Sequence, residues 1–349
     1  MKELNKFEII VLTLSLIILS ISTGSNIFNI IIYSLGIIPL SIVIGNCTDE
    51  ISDVIGDKKG GFLIATLGNL PELAMGVWAI KYGMVNMAKG ALMGCILSNM
   101  LLGIGIAIIC GGIKYGEQKF DKNLARTNFI MLFLSLSSIV VIGAINGSGN
   151  IQNNIIESIS VKVSIVLITI YILSFVFSFY THSQLFSNQK EELQDKGKGF
   201  KSKIVILIIS CMLIYFLSEN LIKNVNIFIK NNHVSEEFMG IILIPLLGNM
   251  GELVAAIICA INNKINLSLE TVSSSSIQMS LFVVPLMIIV SHIMGVQMTL
   301  VYSNFQIIMA LVAVLMSYTV FQDGKTYWFE GAVLIAIYVM ITLSYYHIV

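Results

Sequence analysis

Apolar residues run along this chain in long segments that are separated by short polar stretches. A helix that crosses the hydrocarbon core of a bilayer needs about 20 mostly apolar residues. Eleven segments have a suitable length, and each predicts a membrane-spanning helix. They cover roughly residues 7–22, 27–45, 60–81, 86–112, 127–144, 160–180, 203–221, 237–261, 266–291, 297–320 and 329–347.

The composition supports this interpretation. Apolar residues make up 56% of the 349 residues and charged residues 11%, whereas about a quarter of an ordinary globular protein is charged. So few charges could not cover a water-soluble fold of this length. Because 20 Lys and Arg balance 20 Asp and Glu, no basic excess indicates a nucleic-acid partner. We therefore predict an all-α integral membrane protein that is embedded in a lipid bilayer.

The distribution of basic residues predicts the orientation of the chain. Cytoplasmic loops are enriched in Lys and Arg. With the N-terminus in the cytoplasm, 15 of the 20 basic residues lie on the cytoplasmic side, and 5 lie outside. We expect a multi-pass protein of the cell membrane with its N-terminus inside and its C-terminus outside.

The longest polar interruption, residues 182–202, separates two similar halves. We interpret the chain as an N-terminal transmembrane helix (1–25), a first five-helix repeat (26–181), a cytoplasmic linker (182–202) and a second five-helix repeat (203–349). The first segment could also be a signal peptide, but a chain that inserts ten further helices needs no removable signal.

A short motif recurs in the two repeats. Residues 68–73 read GNLPEL and residues 248–253 read GNMGEL, 180 residues later. Because five spans are an odd number, the second repeat must enter the membrane from the opposite face. Many secondary transporters use such inverted repeats to build an ion site at the bilayer midplane.

A second polar motif follows each first motif at nearly the same distance. Ser98 and Asn99 lie 26 and 27 residues beyond Glu72. Gln278 lies 26 residues beyond Glu252. Each repeat is therefore expected to contribute two motif-bearing helices to one site.

The two motif glutamates are the strongest candidates for chemistry. Glu72 lies about thirteen residues into the third segment and Glu252 about sixteen into the eighth, away from the polar interfaces. An ionised carboxylate at that depth costs at least a few kcal/mol unless it binds a cation or a proton. Protons and metal ions would compete for the same oxygens, so the expected chemistry is exchange.

The surrounding residues could complete an oxygen-rich site. Pro71 and Pro245 each remove a helical hydrogen bond and could free a carbonyl near a glutamate. Neutral oxygen ligands could come from Asn69, Ser98, Asn99, Asn249, Ser275, Ser276 and Gln278. Two carboxylates with amides and carbonyls suit calcium, which takes 6 to 8 oxygens, better than zinc or copper. The four histidines lie at predicted helix ends or in loops, which disfavours zinc.

Several other features have structural interpretations. Gly90 and Gly94 are expected to be helix-packing contacts rather than ligands. For the serines at 273–276, close packing and cavity lining are equally open. The acids of the loop after the second segment, Asp49 among them, are expected at the interface or at the mouth of the site. The five cysteines form no CxxC pair and are interpreted as free thiols.

These motifs resemble the calcium/proton exchangers of the cation/calcium exchanger superfamily. The similarity extends through most of both halves, in GIIPLSIVIGNCTDEISDVIG, GGFLIATLGNLPELAMGVWAIKYG, ALMGCILSNMLLGIG, SENLI, GIILIPLLGNMGEL and SSSSIQMSLFVVPL. The resemblance implies eleven helices and the antiport of calcium for protons. It implies that Glu72 and Glu252 are alternately protonated and metal-bound, and that calcium is a substrate rather than a resident cofactor.

The sequence departs from the family pattern at three places. Leu253 stands where the second motif usually has histidine, and Ile64 stands where asparagine is common. Leu70 and Pro71 are more similar to the sodium/calcium exchanger branch. A sodium-coupled or broader divalent-cation exchanger is therefore the alternative within the superfamily.

Two other classes fit less well. A cation channel would more naturally use rings of symmetric pore residues, and an intramembrane hydrolase would need a nucleophile with a base or a metal with histidine ligands. Whether the chain forms a homo-oligomer stays open.

Overall fold

The computed structural model describes residues 6–55, 66–149, 152–177 and 200–348, and these residues are almost entirely helical. The linker residues 182–199 and Ile64, on which two of the predictions above depend, lie outside the described ranges. The helices are α1 (Lys6–Ser20), α2 (Asn26–Ile55), α3 (Leu70–Lys81), α4 (Val85–Leu97), α5 (Ile104–Tyr115), α6 (Lys122–Gly147), α7 (Asn153–Val176), α8 (Phe200–Asn232), α9 (Glu236–Gly248), α10 (Met250–Ile261), α11 (Ile265–Gln278), α12 (Val284–Ile293), α13 (Asn304–Val320) and α14 (Trp328–Ile348).

Seven helical segments in the described ranges are long and apolar enough to cross a membrane. The pair α9 and α10, which is bent by 56°, makes an eighth if it counts as one span. These eight coincide with eight of the eleven predicted segments. Of the other three, α1 has 15 residues and α13 has 17, and the predicted segment 60–81 is described only from residue 66.

The predicted helix over residues 297–320 begins later than expected. Ser303 caps α13 by accepting a hydrogen bond from the backbone N–H of Gln306, and the Gln306 side chain accepts one from the backbone N–H of Ser303. Such a capping box satisfies N–H groups that would otherwise lack partners at a helix start. The helix therefore starts at Asn304, and residues 297–303 are not helical.

Two turns of π-helix interrupt long helical segments at corresponding places in the two halves. One turn, Ser98–Gly103, joins α4 to α5, and the other, Met279–Val283, joins α11 to α12. Single π-helical turns inside α-helices are frequent at functional sites. Both turns lie directly at or after the second polar motif of their half.

Close helix packing depends on glycine, as the sequence predicted. A β-carbon on Gly94 would lie 2.1 Å from the carbonyl oxygen of Ile241, and one on Gly90 would lie 2.8 Å from that of Glu237. From the other side, a β-carbon on Gly240 would lie 2.2 Å from the Met87 carbonyl oxygen. Because backbone atoms cannot move aside as a side chain can, these glycines allow α4 and α9 to pack backbone to backbone.

A buried ion pair connects α1 to the rest of the bundle. Glu8 is 2% exposed, and its carboxylate lies 2.5 Å from the Lys203 ammonium at the start of α8. The same ammonium lies 3.0 Å from the carboxylate of Glu50 on α2. Three helices therefore meet at one lysine.

A two-stranded antiparallel ribbon was not predicted. Strand β1 (Glu117–Lys119) pairs with β2 (Lys325–Tyr327), so that Glu117 faces Tyr327. The Tyr327 hydroxyl donates a hydrogen bond of 2.7 Å to the Glu117 carboxylate. Strands of three residues are too short to show an alternating pattern, which is why the sequence predicted helices alone.

Candidate cation-binding site

Glu72 and Glu252 lie at the starts of two helices, not in the middle of continuous ones. Glu72 is the third residue of α3 and Glu252 the third residue of α10. The predicted depths of about thirteen and sixteen residues into unbroken helices are therefore wrong. Asn69 and Asn249 directly precede the two helices, and at Asn249 the chain bends by 56° between α9 and α10. The positive ends of the helix dipoles consequently face the carboxylates, an arrangement that favours negative charge.

The prolines act differently from the sequence expectation. Pro71 lies in the first turn of α3, where its missing N–H leaves no helical hydrogen bond unmade. Pro245 lies inside α9 and cannot donate to the carbonyl of Ile241. That freed carbonyl lies against Gly94 of α4. Pro71 therefore lies at a helix start rather than inside a helix, and Pro245 frees a carbonyl at the contact between α9 and α4.

Glu72 is fully buried without a neutralising partner. Its side chain has no exposed surface, and neither carboxylate oxygen receives a hydrogen bond from another residue that the structure describes. The carboxyl group packs directly on Gly248, since a β-carbon there would lie 2.3 Å from both Cδ and Oε1 of Glu72. A buried carboxylate in this situation is unfavourable unless it holds a proton or a cation.

Glu252, in contrast, lines an accessible cavity of about 260 Å³. The cavity lies between α2, α10 and α11, and its lining residues are Ser41, Ile42, Gly45, Asn46, Asp49, Gly68, Gly248, Gly251, Glu252, Ala255, Thr271, Ser274, Ser275 and Gln278. Glu72 does not line it. One carboxylate is thus open to a cavity and its counterpart is sealed behind Gly248.

Asn69 connects the first motif to the second half of the chain. Its Nδ2 donates a hydrogen bond of 2.6 Å to Oε1 of Gln278. Its Oδ1 accepts one of 3.3 Å from the hydroxyl of Ser275. The amide beside Glu72 is therefore held by the second motif of the other half.

Asn249 makes the reciprocal connection to the first half. Its Nδ2 donates to Oγ of Ser98 and to Sγ of Cys95, both at 3.4 Å. Asn99 also donates to Cys95 Sγ at 3.4 Å, and its own Oδ1 is buried with no partner in the described part of the chain. Each network therefore joins the asparagine of one half to the second polar motif of the other half.

Seven of the eight side chains predicted for the site occur in these networks or at the cavity, namely Glu252, Asn69, Asn249, Ser98, Asn99, Ser275 and Gln278. The eighth, Glu72, packs against Gly248, which lines the cavity. For residues 273–276, both interpretations apply. Ser274 and Ser275 line this cavity, whereas Ser276 hydrogen-bonds to the Val272 carbonyl and Ser273 accepts a hydrogen bond from Asn128 on α6. Asp49 lies at the cavity, as expected for a residue near its mouth.

Cys95 is the site residue that the sequence analysis missed. It was grouped with the buried free thiols, and the structure does show it free and buried. The repeat contained the information, because residue 95 precedes Ser275 by 180 positions, as residue 98 precedes Gln278. Applying that offset to every polar residue of the second motif would have identified it.

Comparisons with known proteins agree with this architecture. The model of the family described as sodium/calcium exchanger protein matches residues 25–180 and 202–346. A protein named Ca(2+)/H(+) antiporter from Aphanothece halophytica is 34% identical over 319 residues, which cover 87% of this chain and 86% of that protein. Vacuolar cation/proton exchanger 1 of Arabidopsis thaliana is 34% identical over 315 residues, with 86% and 68% covered.

A solved structure is also similar over nearly the full length. The structure of native YfkE superimposes with a TM-score of 0.83 at 27% identity, covering 97% of this chain and 98% of that one. The similarity therefore includes the arrangement of the helices as well as the motifs.

Proposed function

The chain belongs to the sodium/calcium exchanger protein family, and we propose that it is a membrane antiporter that exchanges Ca²⁺ for protons through a site formed by Glu72 and Glu252. The observation that supports this most directly is the pair of carboxylates at two helix starts, one lining a cavity and one buried without a partner. Relatives named as antiporters of Ca²⁺ and H⁺ support the choice of ions.

The proposed mechanism follows from charge balance. Two buried carboxylates can be neutralised by one divalent cation or by protons, and both states avoid unpaired negative charge in a low-dielectric site. Ca²⁺ would be held by the carboxylates together with amide and hydroxyl oxygens of Asn69, Asn249 and Ser275, which matches its preference for 6 to 8 oxygen ligands. Because both ions need the same oxygens, loading one requires release of the other.

Two inverted five-helix repeats would account for the crossed networks. The bounds of α10 equal those of α3 shifted by 180 residues, and the first residues of α4 and α11 differ by the same amount. The family model also matches the two halves separately. With the N-terminal helix, repeats at 26–181 and 203–349 give eleven spans, of which the second five are inverted.

The proposed orientation of the chain determines which side of the membrane the cavity at Glu252 opens to. With a cytoplasmic N-terminus, α2 runs from the outer to the inner face, so Ser41, Asn46 and Asp49 lie in its inner half. The cavity at Glu252 would then open to the cytoplasm, and the structure would be an inward-facing state. Glu72 would face the opposite side in the alternative state.

Labelling of single introduced cysteines tests this topology. Maleimide reagents that cannot cross the membrane should label Ser187→Cys only from the cytoplasmic side and a cysteine placed after Val349 only from outside. The cysteines present should first be replaced by serine. Labelling of both positions from one side would contradict eleven spans and the inward-facing assignment.

Ion fluxes in proteoliposomes test the function. We expect Ca²⁺ uptake to be driven by a proton gradient that is acidic inside, and to be accompanied by proton release. An equal sodium gradient without a pH difference should give no uptake above that of empty liposomes. Uptake driven by sodium alone would contradict proton coupling, and Ca²⁺ flux without any opposing cation gradient would indicate a channel.

A further inference from the structure

An apolar groove of about 520 Å³ lies between α1 and α8 on the surface of the bundle. Its aliphatic lining consists of Ile9, Leu12, Val205, Ile206 and Ile209. Thr13 also lines the groove, but its hydroxyl donates to carbonyl oxygens of its own helix. Lipid tails are as apolar as these side chains. Within a bilayer, an acyl chain is therefore the occupant whose chemistry matches this lining.

One end of the groove is basic. Lys201 and Ser202 line it at the start of α8. Lys6, the first residue of α1, lies one turn before Ile9 on the same face of the helix. Neither Lys6 nor Lys201 forms an ion pair with another residue that the structure describes. Two ammonium groups are therefore available at the end of an apolar groove.

The buried ion pair of α1 and α8 lies directly beside this basic end. Glu8 precedes Ile9 in the chain and Lys203 follows Ser202, and the carboxylate and ammonium groups lie 2.5 Å apart. Because Lys203 is paired with Glu8 and Glu50, its charge is balanced within the bundle. The contact also shows that α1 and α8 start on the same side of the membrane.

We propose that this groove binds an anionic phospholipid, with an acyl chain between α1 and α8 and the headgroup phosphate at Lys201 and Lys6. Residues 201–209 extend for about 12 Å along α8, which accommodates the upper part of one chain. With the proposed cytoplasmic N-terminus, the basic end lies at the inner leaflet, which carries the anionic lipids. Basic pockets between transmembrane helices on that side bind anionic headgroups.

Lipid retention by the purified protein tests the role of the headgroup. Native mass spectrometry in detergent would compare phosphatidylglycerol with phosphatidylcholine of the same acyl chains. Phosphatidylglycerol should bind more tightly, and Lys201→Gln should weaken its binding by about fivefold, the scale for one lysine near an anionic lipid surface. Lys201→Arg keeps the charge and should retain the lipid. Equal binding of the two lipids by the parent protein would overturn the proposal.

Lys264 provides the control for a general effect of charge. It precedes α11 on the side predicted to be cytoplasmic, and it does not line the groove. Lys264→Gln should therefore leave phosphatidylglycerol binding unchanged. If Lys264→Gln and Lys201→Gln weakened binding equally, the lysines would act only through the net charge of the protein, and the proposed site would be wrong.

Two tryptophan variants of α8 test the groove itself. Val205 lines the groove and is 55% exposed, whereas Ile208 is 50% exposed and lies outside the lining. Both side chains point away from the core, so both variants should fold. Val205→Trp fills the groove and should abolish the preference for phosphatidylglycerol, while Ile208→Trp should keep it. The same preference in both variants would contradict binding between α1 and α8.

The same spectra also distinguish a lipid from a second copy of the chain. We expect the oligomeric mass of Val205→Trp to equal that of the parent protein. A smaller oligomer with unchanged lipid retention would mean that another protomer fills the groove, and the proposal would fail. Because retention is measured without ion gradients, a failure of Ca²⁺ and proton exchange would contradict the proposed function but not this lipid site.

Discussion

Glu72→Gln and Glu252→Gln should each reduce Ca²⁺ uptake and the accompanying proton release to the level of empty liposomes. Glutamine keeps the size of the side chain and can occupy the same space, but it can neither release a proton nor neutralise a divalent cation. In the proposed shared site, loss of either carboxylate leaves Ca²⁺ with an unbalanced charge in a low-dielectric environment. The measurement is initial uptake of radioactive Ca²⁺ under an imposed proton gradient.

A third glutamate in the same helical span provides the control. Glu236 starts α9, sixteen residues before Glu252, and lies outside the cavity and the two networks. Glu236→Gln should therefore keep most of the uptake rate. Size-exclusion profiles of the purified variants would show that all three proteins insert and fold. Substantial exchange by either Glu72→Gln or Glu252→Gln would contradict a shared site.

Gly248→Ala should cause the next largest loss of exchange. The added methyl group would lie 2.3 Å from Cδ and Oε1 of Glu72, closer than nonbonded atoms can approach. The Glu72 carboxyl group would have to leave its position, whereas the fold could tolerate one extra methyl at a cost of about 1–3 kcal/mol. We therefore expect an inserted protein whose Ca²⁺ uptake is close to background, measured as above.

Gly251→Ala is the matched control for this steric argument. Gly251 belongs to the same motif and lines the same cavity, but the nearest atom to an added β-carbon is the carbonyl oxygen of Ser41 at 3.8 Å. This is an ordinary van der Waals distance, so the loss should be much smaller than for Gly248→Ala. Equal losses in the two variants would mean that cavity shape, rather than contact with Glu72, explains the effect.

The sequence predicted much of this architecture because a transmembrane helix can be recognised from its own run of apolar residues. Eight of the eleven predicted segments coincide with helical segments of spanning length, counting the bent pair, since about 20 apolar residues in a row are detectable without knowledge of their neighbours. The two repeated polar motifs were likewise visible in the chain. Seven of the eight candidate residues that they suggested lie in the networks or at the cavity, and Glu72 packs against Gly248 beside it.

Helix starts inside apolar segments were not predictable in the same way. Asn69 and Asn249 lie within continuous hydrophobic runs, so hydropathy alone indicated one helix across each of them. Before the break at Asn249, Pro245 lies inside α9, and Gly94 of α4 packs against the α9 backbone. Such contacts join residues about 150 positions apart, so they cannot be predicted from the residues around either one.

The sequence by itself determined that this chain spans a membrane, that it repeats a polar motif after 180 residues, and that two glutamates mark its candidate site. Only the tertiary structure decided that Glu252 is open to a cavity while Glu72 is sealed behind Gly248, and that Cys95 joins the network of Asn249. The physical reason is that composition and motifs depend on neighbouring residues, whereas accessibility and ligand geometry depend on how helices from the two halves pack together.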